Sequence, residues 1–184
     1  MQKQEFTISA YTENTIGLLN RITIMFTRRR MNIDSLTVSE SAIAGISKFT
    51  IVVMDYEDRI KKLCVQIERH VEVLKCFFHR NEEVVHQEVA LYKVSSESLI
   101  AGNHIEKLVR EYHARILEIT PHYTVIEKTG HKEETQELFE KLNRFGVLQF
   151  IRSGRVAITK SDIEKLSVFL KERDRVLTGL DQNR

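Results

Sequence analysis

The chain has 184 residues, of which 42% are hydrophobic and 29% are charged, a balance that is ordinary for a folded globular protein and too apolar for a disordered one. Twenty-eight Lys and Arg residues against 26 Asp and Glu residues leave a formal net charge of +2, which argues against a nucleic acid or an anionic membrane as the partner. Since no segment approaches the roughly 18 consecutive apolar residues of a membrane span, and the first residues lack the order of a signal peptide, we expect a cytoplasmic protein.

The first half of the chain alternates between the apolar periods of strands and of helices. Every second residue is apolar at residues 5–11, which predicts a half-buried strand, and the spacing becomes helical at residues 17–29. The second helical pattern includes Cys64, Ile67 and Val71 among its apolar positions. The predicted elements are strands at residues 5–11, 33–40, 48–54 and 73–78, and helices at residues 17–29 and 56–70.

The same order of elements returns after a polar stretch at residues 82–87, where we place a boundary. Pro121 marks a turn between two strands, and Gly146 suits a left-handed cap after the last helix of this half. The predicted elements are strands at residues 88–95, 115–119, 123–127 and 147–151, and helices at residues 103–113 and 131–145. A β-α-β-β-α-β order that occurs twice predicts an α+β protein with two ferredoxin-like domains, at residues 5–80 and 84–160.

Residues 161–184 form a C-terminal tail that should be helical. Ser161 and Glu164 have the spacing of a capping box, which predicts that the helix begins at Ser161. Its apolar residues could cover either domain or a partner, and packing within the same chain is the more usual arrangement for a short C-terminal helix. These apolar residues are Leu166, Phe169, Leu170 and Leu177.

Patterns of catalytic and metal-binding residues are not found in the sequence. The seven glycines form no phosphate-binding loop, and no two of the seven histidines lie three or four residues apart, so we interpret the histidines as surface residues. Cys64 and Cys76 have apolar neighbours and are twelve residues apart, which indicates reduced thiols in a core. No nucleophile with an adjacent base is apparent, so we predict a protein without catalytic residues of its own.

The run Arg28-Arg29-Arg30 is the densest group of positive charges, and it ends the first predicted helix. Cations at a helix C-terminus interact favourably with the helix dipole, which is a sufficient structural reason for the run. Contact with an acidic surface of a partner is the alternative.

The turn before the first helix is the strongest candidate for a binding site. Amides at the start of a helix lack partners and lie at the positive end of the helix dipole, so they can bind a carboxylate. Gly17 allows close approach to the backbone, and Asn14 can either cap the helix or bind a polar group of a ligand.

Several segments resemble the acetolactate synthase (acetohydroxyacid synthase) small-subunit family, whose first domain is an ACT domain. In the first half these are Glu13 to Leu19, with the letters ENTIGLL, and Met31 to Val38, with the letters MNIDSLTV. In the second half they include Arg115 to Pro121, RILEITP, and Arg152 to Ala157, RSGRVA. The resemblance covers residues from about 5 to 160.

The resemblance implies a homodimeric regulatory subunit that binds the catalytic large subunit, raises its activity and transmits feedback inhibition by valine or a related branched-chain amino acid. Thiamine diphosphate, magnesium and FAD are then expected on the catalytic subunit only, and this chain should bind neither a cofactor nor a metal. A free-standing ACT-type sensor of amino acids, which acts on a different enzyme or regulator, is the alternative.

The resemblance also implies where the effector binds, between the ACT domains of two protomers. One protomer would contribute Asn14, Ile16, Gly17 and Leu18, and the other would contribute Asn32 and Ile33. Two positions near this site depart from the family pattern: Ile16 replaces a proline or small residue, and Arg30 replaces a glycine. Because glycine relieves a left-handed cap, Arg30 must either adopt a strained conformation or end the helix differently.

Overall fold

The structure of the chain, a computed structural model, describes residues 2–100 and 103–181. They form two compact units. The first unit contains the residues up to Val85 together with those from Ala157 onward, and the second unit extends from His86 to Val156. Among the described residues, no helix has the length and apolar character needed to cross a membrane.

The first unit contains a four-stranded antiparallel sheet and two helices in the predicted β-α-β-β-α-β order. Its strand order is β2-β3-β1-β4, so β2 lies at one edge of the sheet. The elements are β1 (Gln4–Glu13), α1 (Leu18–Arg28), β2 (Ser35–Glu40), β3 (Ile46–Asp55), α2 (Glu57–Ile67) and β4 (Val73–Arg80).

The core of the first unit lies between one face of this sheet and the two helices. Phe6, Ile8 and Ala10 alternate along β1 and are fully buried, and Ile8 pairs with Ile51 of β3. The helices contribute their apolar residues to the same cluster, because these residues recur every three or four positions. The helical members are Leu18, Ile22, Met25 and Phe26 of α1, and Ile60, Leu63, Cys64 and Ile67 of α2.

The second unit repeats the arrangement with the strand order β6-β7-β5-β8. Tyr92 is its largest fully buried residue; its ring stacks on Phe150, and its hydroxyl donates a hydrogen bond of 2.6 Å to the carbonyl oxygen of Thr135. The elements are β5 (Val84–Ser95), α3 (Ser96–Ile100), α4 (His104–Glu111), β6 (Arg115–Ile119), β7 (Tyr123–Gly130), α5 (Lys132–Asn143) and β8 (Val147–Arg152). A ninth strand, β9 (Val156–Thr159), begins at the last residue of the second unit and otherwise belongs to the first. The two ferredoxin-like halves of the predicted α+β fold are therefore confirmed.

Several predicted element boundaries are wrong. The second helix ends at Ile67, and Val71 is 96% exposed because Val73 takes the next core position at the start of β4. The polar stretch at residues 82–87 is a short 3-10 helix, Asn81–Glu83, followed by the first residues of β5. β5 begins at Val84, within the polar stretch, because valine favours an extended backbone and Val84 is buried.

The C-terminal helix α6 (Lys165–Asp181) begins four residues later than predicted. The hydroxyl of Ser161 accepts a hydrogen bond of 3.2 Å from the amide of Ile163, which forms a local turn instead of a helix cap. Glu164 takes the capping role, since its carboxylate accepts a hydrogen bond of 2.8 Å from the amide of Ser167. The expected packing within the same chain is observed, because Leu166 is only 2% exposed within the first unit; the side chain of Leu177 lies outside the described residues.

The prediction that both cysteines are reduced thiols in a core is confirmed, whereas the prediction that the histidines are surface residues is wrong for His79. Cys64 and Cys76 are buried free thiols, and their contact together with burial raises the pKa of Cys76 well above its usual value. His79 was expected on the surface but is only 4% exposed. It lies on the sheet face away from α1 and α2, and the C-terminal segment also covers part of this face.

Candidate functional site

The turn that connects β1 to α1 has the backbone conformation that the sequence suggested. Gly17 precedes the first residue of α1 and has a φ of 82°, in the left-handed region that residues with a Cβ rarely adopt. No atom lies within 4 Å of the position that a Cβ would occupy. The backbone conformation, and not crowding, is therefore the reason for a glycine here.

The first turn of α1 presents amides that have no partner. Within residues 2–100 and 103–181, the amides of Gly17, Leu19 and Asn20 donate no hydrogen bond, and that of Leu18 makes only a long contact of 3.4 Å with Thr15. The first turn holds no acidic side chain. These N–H groups and the positive end of the helix dipole form a site that can bind a carboxylate.

The side chains of the four predicted residues at this turn occupy different environments. Asn14 and Ile16 are exposed, whereas Leu18 is only 2% exposed and belongs to the core, so only its backbone could reach a ligand. Asn14 does not cap α1, because Gly17 is the capping residue and no side-chain hydrogen bond is made there. Among the described residues, no group bonds to the Asn14 side chain, which leaves it available to a ligand.

Asn32 and Ile33 lie after α1 and before β2. The amide of the Asn32 side chain donates a hydrogen bond of 2.9 Å to the carboxylate of Asp34, and Ile33 packs partly against the core of the first unit. An open cavity of about 410 Å³ beside Asn14 is lined by neither of them, and Ile16, Gly17 and Leu18 do not line it either. One protomer thus does not bring the two halves of the predicted effector site into one cavity.

Arg30 adopts the strained conformation that was one of its two expected alternatives. Its φ is 53°, and the amides of Arg30 and Met31 donate hydrogen bonds of 3.0 Å to the carbonyl oxygens of Thr27 and Phe26. This is the left-handed helix ending that a glycine adopts without strain. The side chain of Arg30 is exposed, so no burial compensates for the strain.

Two contacts that the sequence did not suggest hold the turn in place. The amide of Asn14 donates a hydrogen bond of 3.2 Å to Gly45, and the amide of Glu13 donates one of 2.8 Å to the carbonyl oxygen of Glu72. The carboxylate of Glu72 is also 2.7 Å from the guanidinium of Arg21, one helical turn after Gly17. Its own backbone amide and then Arg21 lower the pKa of Glu72, so this carboxylate is ionised at neutral pH and keeps its ion pair with Arg21.

The described residues contain no group of three or more His, Cys, Asp or Glu side chains that could hold a metal ion.

Comparisons with known proteins cover most of the chain. A family model described as "AHAS small subunit-like ACT domain" matches residues 8–75, and one described as "Small subunit of acetolactate synthase" matches residues 87–161. The acetolactate synthase small subunit of Bacillus subtilis is 32% identical over 84% of this chain and 90% of its own length. The probable acetolactate synthase small subunit of Methanothermobacter thermautotrophicus is 28% identical over 87% of this chain and 95% of its own.

A solved structure agrees with these sequence relatives. The crystal structure of the acetolactate synthase small subunit from Thermotoga maritima matches 87% of this chain and 99% of its own, with 28% identity and a TM-score of 0.79. The similarity therefore extends over both ferredoxin-like halves.

Proposed function

The chain belongs to the acetolactate synthase small-subunit family, and we propose that it acts in the cytoplasm as the regulatory partner of the catalytic subunit of that enzyme. It contributes no catalytic residue. Thiamine diphosphate, magnesium and FAD belong to the catalytic subunit. The matches to both domain models and to full-length small subunits support this assignment.

The regulatory signal is a branched-chain amino acid, with valine as the first candidate. The amides without a hydrogen-bond acceptor at the start of α1, next to the available side chain of Asn14, support this proposal. The carboxylate of valine would accept hydrogen bonds from the amides of Gly17 and Leu19, and Asn14 would bind a polar group of the same molecule. The exposed side chain of Ile16 would then lie beside the hydrocarbon part of the effector.

The second half of the effector site comes from a second copy of the chain. Within one protomer, Asn32 and Ile33 do not line the cavity beside Asn14. A twofold axis between two protomers would place Asn32 and Ile33 of each protomer against Asn14 of the other, which gives two equal sites. β2, which follows Ile33, is an edge strand: within the described part of one protomer it pairs with β3 alone, and it carries the exposed Val38. Such an edge is normally covered, which supports a homodimer formed through the first domains.

Calorimetry tests the effector site directly. Valine, leucine and isoleucine are titrated in turn into the full chain, and the Asn14→Ala variant should bind valine at least about tenfold more weakly, a loss of roughly 1.4 kcal/mol. The matched control is Asn20→Ala, which removes another exposed asparagine side chain near the site but leaves its backbone amide. Unchanged valine binding by Asn14→Ala would exclude this site, even if the chain regulates the enzyme.

A further inference from the structure

A second cavity lies within the first unit, on the opposite face of its sheet from α1 and α2. The strand residues Ser9, Tyr11, Lys48 and His79 line one side of it. They alternate with core residues such as Ile8 and Ala10, so they must point away from the core. The other side is formed by the C-terminal segment from Ala157 to Leu166, and the cavity has a volume of about 260 Å³.

Two buried polar side chains in this cavity make no hydrogen bond with the described part of the chain. His79 is 4% exposed and Ser9 is 7% exposed. Within residues 2–100 and 103–181, neither the imidazole of His79 nor the hydroxyl of Ser9 makes a hydrogen bond. Buried polar side chains in proteins nearly always have a partner. Both residues line the cavity, so a partner for them would have to lie inside it.

The polar groups around the cavity are mainly hydrogen-bond donors. Lys48 uses one of its three ammonium protons for a hydrogen bond of 2.7 Å to the carbonyl oxygen of Ala157, which leaves two. Lys165 and the hydroxyl of Tyr11 can donate as well. Two carboxylates also line the cavity, that of Glu164, one of whose oxygens accepts from the amide and the hydroxyl of Ser167, and that of Asp162; both belong to exposed residues, as does Lys165.

The sheet side of the cavity holds the titratable groups Tyr11, Lys48 and His79 and no carboxylate, whereas the C-terminal side holds Asp162, Glu164 and Lys165. Burial lowers the pKa of Lys48, although Glu164 partly opposes this shift. Burial and then Lys165 lower the pKa of His79, with an opposing effect of Glu83 and a further lowering by Lys48. An anion among these groups would stabilise both ammonium ions and the protonated imidazole.

Apolar side chains complete the walls. Phe77, Val84 and Leu166 line the cavity, and the ammonium of Lys165 lies 5.7 Å from the centre of the Phe77 ring. The volume is well above what a single water molecule needs, so the cavity can hold a molecule of several non-hydrogen atoms. The donors suit a carboxylate, and the walls suit a short hydrocarbon chain.

We propose that this cavity binds a small aliphatic carboxylate, whose carboxylate group contacts Lys48, His79 and Lys165 while its hydrocarbon part packs against Phe77, Val84 and Leu166. The site is separate from the effector turn, because none of the residues from Asn14 to Leu18 lines it. The second family-model match ends at residue 161, so helix α6, which contributes Lys165 and Leu166, lies outside the matched region. A ligand that contacts both the sheet and this helix would stabilise the packing of the C-terminal segment.

Calorimetric titration of the full chain with isobutyrate tests the proposal, with isobutylamine as a probe of the same carbon skeleton and opposite charge. We expect one isobutyrate per chain to bind with a millimolar or lower Kd, and isobutylamine not to bind. Lys165→Met should weaken binding at least about tenfold. The matched control Lys171→Met, at an exposed position of the same helix, should leave it unchanged.

A second readout separates this cavity from the effector turn. Binding should become tighter as the pH falls from 8 to 6, with uptake of a proton, and His79→Gln should remove that uptake while Asn14→Ala leaves isobutyrate binding intact. Circular dichroism checks that each variant is folded. Absence of saturable binding, equal binding of isobutylamine, or a loss caused by Asn14→Ala and not by Lys165→Met would overturn the proposal. Valine binding and enzyme regulation are measured separately, so the effector proposal stands or falls on its own.

Discussion

The backbone amide of Asn14 donates a hydrogen bond to the carbonyl oxygen of Gly45, with a nitrogen-to-oxygen distance of 3.2 Å. Gly45 has a φ of 77° and lies in the connection from β2 to β3. The contact therefore ties the proposed carboxylate site to the hairpin that begins with the edge strand β2. A ligand that moves the turn at Asn14 would move this hairpin too, which is a physical route from an effector to a subunit interface.

Gly17→Ala should destabilise the chain by about 1 kcal/mol, because a Cβ makes the left-handed backbone at this position unfavourable while no neighbour needs to move. Urea denaturation measures the change in the free energy of unfolding. Asn20→Ala, within the first turn of α1, is the control and should be neutral or slightly stabilising. Equal stability of Gly17→Ala and the wild type would show that the turn does not keep this backbone conformation in solution.

Arg30→Gly should have the opposite effect and stabilise the chain by about 0.5–1 kcal/mol, since glycine removes the strain of a φ of 53°. The matched variant Arg28→Gly changes the last residue of α1, where the backbone is helical, and should destabilise by up to about 1 kcal/mol. Thermal or urea unfolding of both variants gives the comparison. If Arg30→Gly destabilises as much as Arg28→Gly, the arginine side chain makes a stabilising contact that outweighs the backbone strain.

The chain should lose stability as the pH falls below about 7, partly through His79. Burial and Lys165 lower the pKa of His79 in the folded state below its ordinary value of 6.5. Between the two values the unfolded chain binds more protons than the folded chain, so stability falls as the pH falls through this window. Urea unfolding from pH 8 to pH 5 should show a smaller decline for His79→Gln than for the wild type.

The exposed His122 provides the control for that measurement, since His122→Gln should leave the pH dependence as it is. A decline of the same size in His79→Gln and in the wild type would show that His79 is not the residue responsible.

Cys64 and Cys76 should not react with a thiol reagent in the folded chain. Both are buried, and the contact with Cys64, followed by burial, raises the pKa of Cys76, so little thiolate forms near pH 8. Titration with DTNB should detect no rapidly reacting thiol before urea is added and two after unfolding. Asn143→Cys, at an exposed position at the end of α5, serves as a positive control that reacts at once. Rapid reaction of two thiols in the native wild type would contradict the buried positions.

The parts of the fold that the sequence predicted are those with regular burial on one side. β6 was predicted with its observed limits, and the alternation of Phe6, Ile8 and Ala10 located β1, because one face of the strand meets the core and the other does not. Gly146 was assigned to a left-handed cap, and its φ is 83°. In each of these cases, the residue types and their spacing along the chain were sufficient to predict the local structure.

The remaining features depend on contacts between distant segments. His79 is buried because the C-terminal segment covers a second face of the sheet, which no periodicity in β4 could indicate. Ser161 and Glu164 had the spacing of a capping box, but the carboxylate caps a helix that begins one residue after it. The turn at Gly17 was recognised, yet its support by Gly45 and Glu72 depends on how β1 meets the turns into β3 and β4.

The most direct test of the regulatory role is the rate of acetolactate formation by a cognate catalytic subunit, measured with and without this chain and over a range of valine concentrations. We expect that the chain raises the rate, that valine reduces this gain, and that Asn14→Ala retains the gain but needs at least about tenfold more valine to lose it. A rate that is the same with and without the chain, under conditions in which both proteins are folded, would show that the chain does not regulate this enzyme.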